Sequence, residues 1–262
     1  MYIKSFFKYQ TSYLDEKEYK KLLKPLISMD LRRVSKFNLL ALYGSVNILN
    51  SKNFDKNLFI YVATNLACID ETYKVLCEIK DKNPIMPFDF LNINTNNTGF
   101  YISKALEIDA NSYTISTNDL AFERALELAF FDYKNGVQKS FLIGSVENSS
   151  QNIPNQSSSY FDNSSWIYFD NKEENSLSKI KTIKYFTNID ELNFYLCDLQ
   201  YDNIILNDRA KEFLNELNID KNSLNSEFDI FSIFEKDLKN SIYIAFDSKK
   251  RAYLINFGLN SF

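Results

Sequence analysis

An α/β fold, with a mainly parallel central sheet covered by helices in α-β-α layers, is predicted by three features of the 262-residue chain. Short apolar runs rich in β-branched and aromatic residues alternate with amphipathic stretches of helical period through residues 1–150. Those stretches, at about 10–15 residues, are long enough to serve as crossovers between parallel strands. The composition is 45% hydrophobic and 24% charged, and a chain of this length buries roughly 70–75% of its unfolded surface without disulfides. The expectation is one domain over residues 1–262.

The first twenty residues read either as an extra strand and helix or as an arm. Leu31–Leu49 reads as a helix, because Val34, Phe37, Leu40, Ala41 and Ile48 recur near helical spacing. Asn57–Ala63 is a short aromatic and β-branched run, predicting a buried strand. Asp70–Lys80 predicts an amphipathic helix with Tyr73, Leu76 and Cys77 on its apolar face, after which Pro84 and Pro87 break the chain. Asn96–Leu106 reads as a helix and Ser112–Ser116 as a strand. Leu120–Tyr133 places Phe122, Ala125, Leu126 and Ala129 on one helical stripe, and Gly136 stands where a helix C-terminus favours glycine. Lys139–Val146 predicts another buried strand, and the Ser/Asn-rich residues 147–163 predict a long surface loop. Beyond it, Ser165–Phe169 and Ile180–Phe186 read as strands, Ile189–Leu199 as a helix, Asn203–Leu206 as a strand and Asp208–Leu217 as a helix. Ser241–Phe246 and Ala252–Phe257 close the chain as a hairpin, and no internal repeat is visible.

The composition narrows the chemistry. There is no histidine, which removes Ser-His-Asp and Cys-His pairs, His-ligated metals and histidine general bases. Five glycines leave no closely spaced set for a phosphate-binding loop. No metal and no cofactor is expected. Cys68, Cys77 and Cys197 are odd in number and not spaced as CxxC, so they read as reduced thiols, mostly in the core, of a cytoplasmic protein. A net charge of −4 is too mild to suggest nucleic acid. No apolar run approaches the ~18–20 residues that span a bilayer. Residues 1–37 carry nine Lys/Arg against four Asp/Glu, including Lys20, Lys21, Lys24, Arg32, Arg33 and Lys36. That face either docks an acidic partner or is simply solvated.

Tyr113–Glu147 carries the most information. A strand ends in small polar residues, and a turn leads to a long helix with alanines on its inner face. Asn135-Gly136 follows, then a strand ending in Gly144-Ser145-Val146-Glu147. This is a nucleophile-elbow layout, which holds one side chain at the positive end of a helix.

The segment resembles the active-site region of β-ketoacyl synthases, in the thiolase-like superfamily. In that family the strand ends in Ser-Ser/Thr-Ala-Cys and the Cys takes the acyl chain. With Asp119 at the Cys position, Gly136 and Gly144 fall in register. Leu31-Arg32-Arg33-Val34-Ser35 resembles the family's Arg-Arg-Met-Ser stretch. Phe59–Thr64 resembles the strand that ends in a Gly/Ser-rich turn. Pro87-Phe88-Asp89-Phe90 followed by Asn96 resembles the Pro-x-x-Phe…Asn stretch, and Ser165–Phe169 stands at the Gly-Ala-rich strand. The resemblance covers residues 25–185, implying a thiolase-like N-terminal half, with 187–262 a diverged or reduced C-terminal extension.

The departures set the functional expectation. Asp119, flanked by Thr117 and Asn118, replaces the nucleophile, and the family's two histidines are missing. An acyl-aspartate would be a labile anhydride, so no catalytic residue is assigned. The chain resembles the short, non-catalytic chain-length-factor-like subunits of type II polyketide and aryl-polyene systems. That resemblance implies a heterodimer with a catalytic ketosynthase, an acyl carrier protein as a further partner, and pairing across the dimer axis through Asn111–Ser116. It also implies acyl-pocket or interface positions at Phe88, Phe90, Asn96, Tyr113, Ile115 and Phe122. The alternatives are a residual acyl-thioester decarboxylase or hydrolase using Asp119, and a homodimeric pseudoenzyme with an unrelated binding role. Asn118 and Asp119 also suit a plain helix cap.

Overall fold

The alternation of strand and helix is realised in a computed structural model that describes residues 1–50, 53–150, 161–225 and 229–258. The elements run β1 (Tyr2–Phe7), β2 (Gln10–Ser12), α1 (Glu16–Leu23), α2 (Lys36–Leu49), β3 (Phe59–Thr64), α3 (Ile69–Lys80), α4 (Pro87–Asn92), α5 (Asn97–Leu106), β4 (Ser112–Ser116), α6 (Ala121–Lys134) and β5 (Phe141–Glu147). There follow β6 (Phe161–Asp170), β7 (Ser178–Phe186), α7 (Ile189–Cys197), β8 (Asn203–Leu206), a 3-10 helix (Asp208–Phe213), α8 (Ser232–Glu235), β9 (Ser241–Phe246) and β10 (Ala252–Gly258). They form two compact units. The N-terminal unit comprises Phe7–Ala125 and Ser140–Tyr168, and the C-terminal unit comprises Met1–Phe6, Leu126–Lys139 and Phe169–Phe262.

Within the N-terminal unit β3 is central. It pairs in parallel with β4, Thr64 opposite Ser116, and with β5, Phe59 opposite Phe141. Its sequence FIYVAT is buried almost throughout, as a strand covered on both faces requires. The core unites Tyr19 and Leu23 of α1, the apolar residues of α2, Ile60 and Val62 of β3, Ile102 of α5, Leu142 and Val146 of β5, and Trp166. Helix α2 is buried nearly all round. It starts at Lys36 rather than Leu31, because Ser35 caps it with its hydroxyl toward the Asn38 N–H. Gly99 lets α5 close onto β4: a Cβ there would lie 2.1 Å from Ser112 Oγ.

The first twenty residues take the strand-and-helix reading, supplying β1, β2 and the start of α1. Several other expectations are corrected. Pro87 opens α4 instead of breaking the chain, since proline suits the first helical turn, where its missing N–H has no intrahelical acceptor. In α3 the inward residue is Val75, while Tyr73 and Leu76 are exposed. Of the surface loop expected over 147–163, residues 151–160 lie outside the described residues. Glu147 ends β5, Asn148, Ser149 and Ser150 are buried, and Phe161 opens β6. Asp208–Leu217 forms a short 3-10 helix over Asp208–Phe213 only. Of the cysteines Cys68 is buried, Cys77 half-buried and Cys197 exposed, all three free.

In the C-terminal unit β7 pairs antiparallel with β1 and β10, and β10 antiparallel with β9. The parallel pair there is β8 with β9. Leu192 and Leu196 of α7 pack with Ile204, Leu206, Ile242, Ile244, Phe246 and Leu254 into a second core. A repeat invisible in the sequence emerges from the topology. Each unit holds a parallel pair followed by a neighbouring strand, β3/β5/β6 in one and β8/β9/β10 in the other. The position that β4 occupies beside β3 is reduced beside β8 to an isolated parallel bridge, Ile204 with Leu224. The segment after residue 187 therefore supplies three strands of the sheet, β8, β9 and β10. No helix among the described residues is long and apolar enough to cross a membrane.

Candidate functional site

The strand-to-helix elbow forms as its sequence predicts. β4 is the terminal strand of its sheet, and its ladder to β3 extends one residue further, with Thr117 N donating to Thr64 O at 3.2 Å. The Thr117 hydroxyl donates to Asp119 O at 2.6 Å and closes the turn. Leu120 then takes φ 59°, and α6 begins at Ala121. A positive φ at a branched, non-glycine residue costs on the order of 1–3 kcal/mol and persists only where the surroundings fix it. Leu120 is buried, and its carbonyl accepts the Arg124 N–H at 3.1 Å. The expected inner stripe of α6 is in place, with Phe122, Ala125, Leu126 and Ala129 all buried. After α6 Gly136 adopts φ 68°, and Val137 N reaches back to Asp132 O at 2.9 Å.

Residues 117–120 of the elbow are Thr-Asn-Asp-Leu, with no cysteine among them. Asp119 is half-buried and Asn118 exposed. Burial pushes the Cys68 thiol far above its ordinary range, so it stays protonated. No group of three metal-ligating residues occurs among the described residues.

The other predicted positions divide between surface and core. Phe88 and Phe90 on α4 and Asn96 at the head of α5 are exposed. Tyr113 on β4 is 44% exposed and stacks on Tyr61, ring centroids 5.0 Å apart. Ile115 is half-buried, whereas Phe122 is a core residue. Beside β4, Phe100 of α5 is 61% exposed. The basic N-terminal residues are largely engaged within the chain. Lys20 pairs with Glu16, Lys21 with Glu18 and Arg32 with Asp30, and the Arg33 guanidinium lies 3.9 Å over the Phe88 ring.

Two buried polar centres escaped the sequence reading. Lys36 is not part of a basic face: its Nζ lies 2.9 Å from Asp162 Oδ1, with both side chains buried. Asp162 Oδ1 also accepts from Ser149 N and Oγ, and Oδ2 from Tyr19 OH and Leu14 N. Burial and the Asp162 carboxylate hold the Tyr19 phenol protonated. The second centre is Glu147, whose Oε2 accepts from Thr64 Oγ1 at 3.2 Å and Leu66 N at 3.1 Å, while Oε1 accepts from Asn65 N. Burial pushes its carboxyl up to about 7 against the pull of those three donors. The available signal was a lone charged residue ending the strand FLIGSVE.

No family model matches the chain, and no curated protein matches it significantly. Solved structures do. The ishigamide ketosynthase/chain length factor matches with a TM-score of 0.73 at 10% identity, over 99% of this chain and 99% of the other. The chain has the thiolase-like fold of ketosynthases and chain length factors. A second match to this fold is the AntDE:AntF structure, described as a type II polyketide synthase acyl-carrier protein in complex with its ketosynthase bound to the hexaketide, with a TM-score of 0.66 at 14% identity, over 99% of each chain. A third is the ketosynthase ApeO in complex with its chain length factor ApeC from Xenorhabdus doucetiae, with a TM-score of 0.59 at 10% identity, over 98% and 99%. The thiolase-like match therefore runs well past residues 25–185 and takes in the C-terminal unit.

Proposed function

We propose that this chain is a non-catalytic ketosynthase-like subunit. It pairs with a catalytic β-ketoacyl synthase and helps shape that enzyme's acyl pocket, in polyketide, aryl-polyene or fatty acid biosynthesis. The observation that carries the reading is the elbow, whose positive-φ turn and following helix are formed around Asp119, the residue that the resemblance aligns with the nucleophile. A chain without histidine also lacks the two histidines that the resemblance implies for the condensation.

The pairing edge is β4. It is a terminal strand, and an unpaired edge beside exposed aromatic residues favours strand addition. Tyr113 and Phe100 supply apolar anchors there. Structures of this fold that hold a ketosynthase with its chain length factor, and a carrier protein with its ketosynthase, support a ketosynthase as partner and a carrier protein as visitor. The protein acts in the cytoplasm, where the substrates of such a pair are made.

The test is co-expression with a ketosynthase encoded beside it, followed by size-exclusion chromatography with light scattering. A 1:1 complex is expected, whose acyl-transfer activity is lost when the partner's catalytic Cys is replaced. A stable monomer or homodimer that ignores the ketosynthase refutes the proposal.

A further inference from the structure

The carboxylate at the end of β5 and the elbow at the end of β4 are connected through β3. Glu147 grips the turn after β3 by three donors, Thr64 Oγ1, Asn65 N and Leu66 N. Thr64 Oγ1 in turn accepts the Ala67 N–H at 2.8 Å, where Ala67 holds φ 55°. The carbonyl of that same Thr64 accepts the Thr117 N–H, and the Thr117 hydroxyl fixes Asp119 immediately before Leu120. Two turns with a positive-φ residue are thus tied to one buried acid. We propose that Glu147 is a positioning residue, a proton-sensitive clasp that sets the 64–67 turn and, through Thr64 and Thr117, the elbow beside the β4 edge.

The chemistry gives the clasp a direction. Neutral Glu147 keeps Oε1 for the Asn65 N–H and, protonated on Oε2, donates to Thr64 Oγ1; the Thr64 O–H then gives up Oε2, and the Leu66 N–H keeps Oε2 as a weaker acceptor. Ionised Glu147 engages all three donors but holds a charge away from water, which is the larger effect. An open turn exposes the acid to solvent and returns it to its ordinary range. The closed form is therefore favoured when Glu147 is neutral, and raising the pH through neutrality loosens it. The charged groups on the surrounding elements are Asp70 and Glu71 at the head of α3, and the Lys36–Asp162 pair between α2 and β6. Asp70 accepts from Asn148 and Ser150, and Asp162 from Ser149, the residues that directly follow Glu147. A consequence for partner affinity rests on the proposed pairing through β4; the clasp itself does not.

Hydrogen exchange of the full chain, free or in complex, measured as amide protection factors from pH 5 to 8.5, tests the clasp. Protection of residues 64–67 and 117–120 should fall together by roughly 10- to 100-fold between pH 5 and 8 and level off above, as the linkage between an acid at about 7 and its ordinary value requires. Glu147→Gln should abolish the pH dependence and keep both segments protected. Thr117→Val should leave the 64–67 response intact while uncoupling 119–120. Protection independent of pH in the natural protein, or an unchanged response in Glu147→Gln, overturns the proposal. If Glu147→Gln fails to fold, identical responses of both segments in Thr117→Val overturn the coupling. None of these outcomes depends on whether a ketosynthase binds.

Discussion

Replacing Gly144 by alanine should cost the N-terminal unit more than almost any other single methyl group. The added Cβ would lie 2.3, 2.4 and 2.5 Å from three atoms of the Trp166 indole. Ordinary contact begins near 3.4 Å, so the ring must retreat by about 1 Å. It has nowhere to go. Trp166 is fully buried, and a Cβ on Gly44 of α2 would lie 2.4 Å from its Cδ1. The indole N–H is also tied to Ser164 Oγ at 2.9 Å. Overpacking of this kind costs about 1–3 kcal/mol, and the strained hydrogen bond adds about 1 kcal/mol, giving an expected loss of about 3 kcal/mol. Trp166 is the only tryptophan, so its fluorescence reports the unfolding of this core directly. The urea midpoint of that signal should fall, and in a double-mutant cycle followed by circular dichroism Gly144→Ala should cost less in a Trp166→Leu background than in the unaltered protein. A Gly144→Ala midpoint within error of the unaltered protein refutes the packing argument.

Three further predictions concern charge and the docking edge. Lys36→Met leaves Asp162 as a buried charge without its cation; stability should fall by about 3–5 kcal/mol, with partial recovery in Lys36→Met/Asp162→Asn, read by chemical denaturation. Because the Glu147 carboxyl is raised above its ordinary range, the folded state holds its proton more tightly than the unfolded chain does. Stability should therefore decline as pH rises from about 4.5 through about 7, by up to about 3 kcal/mol, and level off above. Glu147→Gln should remove most of that slope in calorimetry, leaving a part from Glu71, which burial raises in the same direction. Tyr113→Asp places a charge on the exposed face of β4 and should weaken ketosynthase binding at least about tenfold in an affinity titration. Asp119→Asn should leave that affinity unchanged.

The parts legible in the sequence were those decided locally. β3, β4, α6, β5 and the β9–β10 hairpin follow from β-branched and aromatic runs, from the 3.6-residue stripe through Phe122, Ala125, Leu126 and Ala129, and from the glycine after α6. The parts missed were decided by distant partners. Asp162 lies in a polar run that reads as a loop, yet it is buried because Lys36, Tyr19 and Ser149 satisfy it. Lys36 reads as a surface cation for the same reason. Pro87 carries opposite meanings inside a helix and at its first position. The duplicated strand order leaves no sequence trace, because only the pairing is repeated and not the side chains. At the site, the elbow was read from strand, turn and helix, whereas Glu147 acquires its part only when β5 lies beside β3.

The proposed pairing places β4 at the edge shared with a catalytic ketosynthase. Hydrogen exchange across Ser112–Ser116, compared between the free chain and its co-purified complex, tests that claim most directly. Amides of β4 should gain protection on pairing, while those of β8, at the edge of the other unit's strands, should not. A complex that forms with β4 exchanging as fast as in the free chain would contradict it.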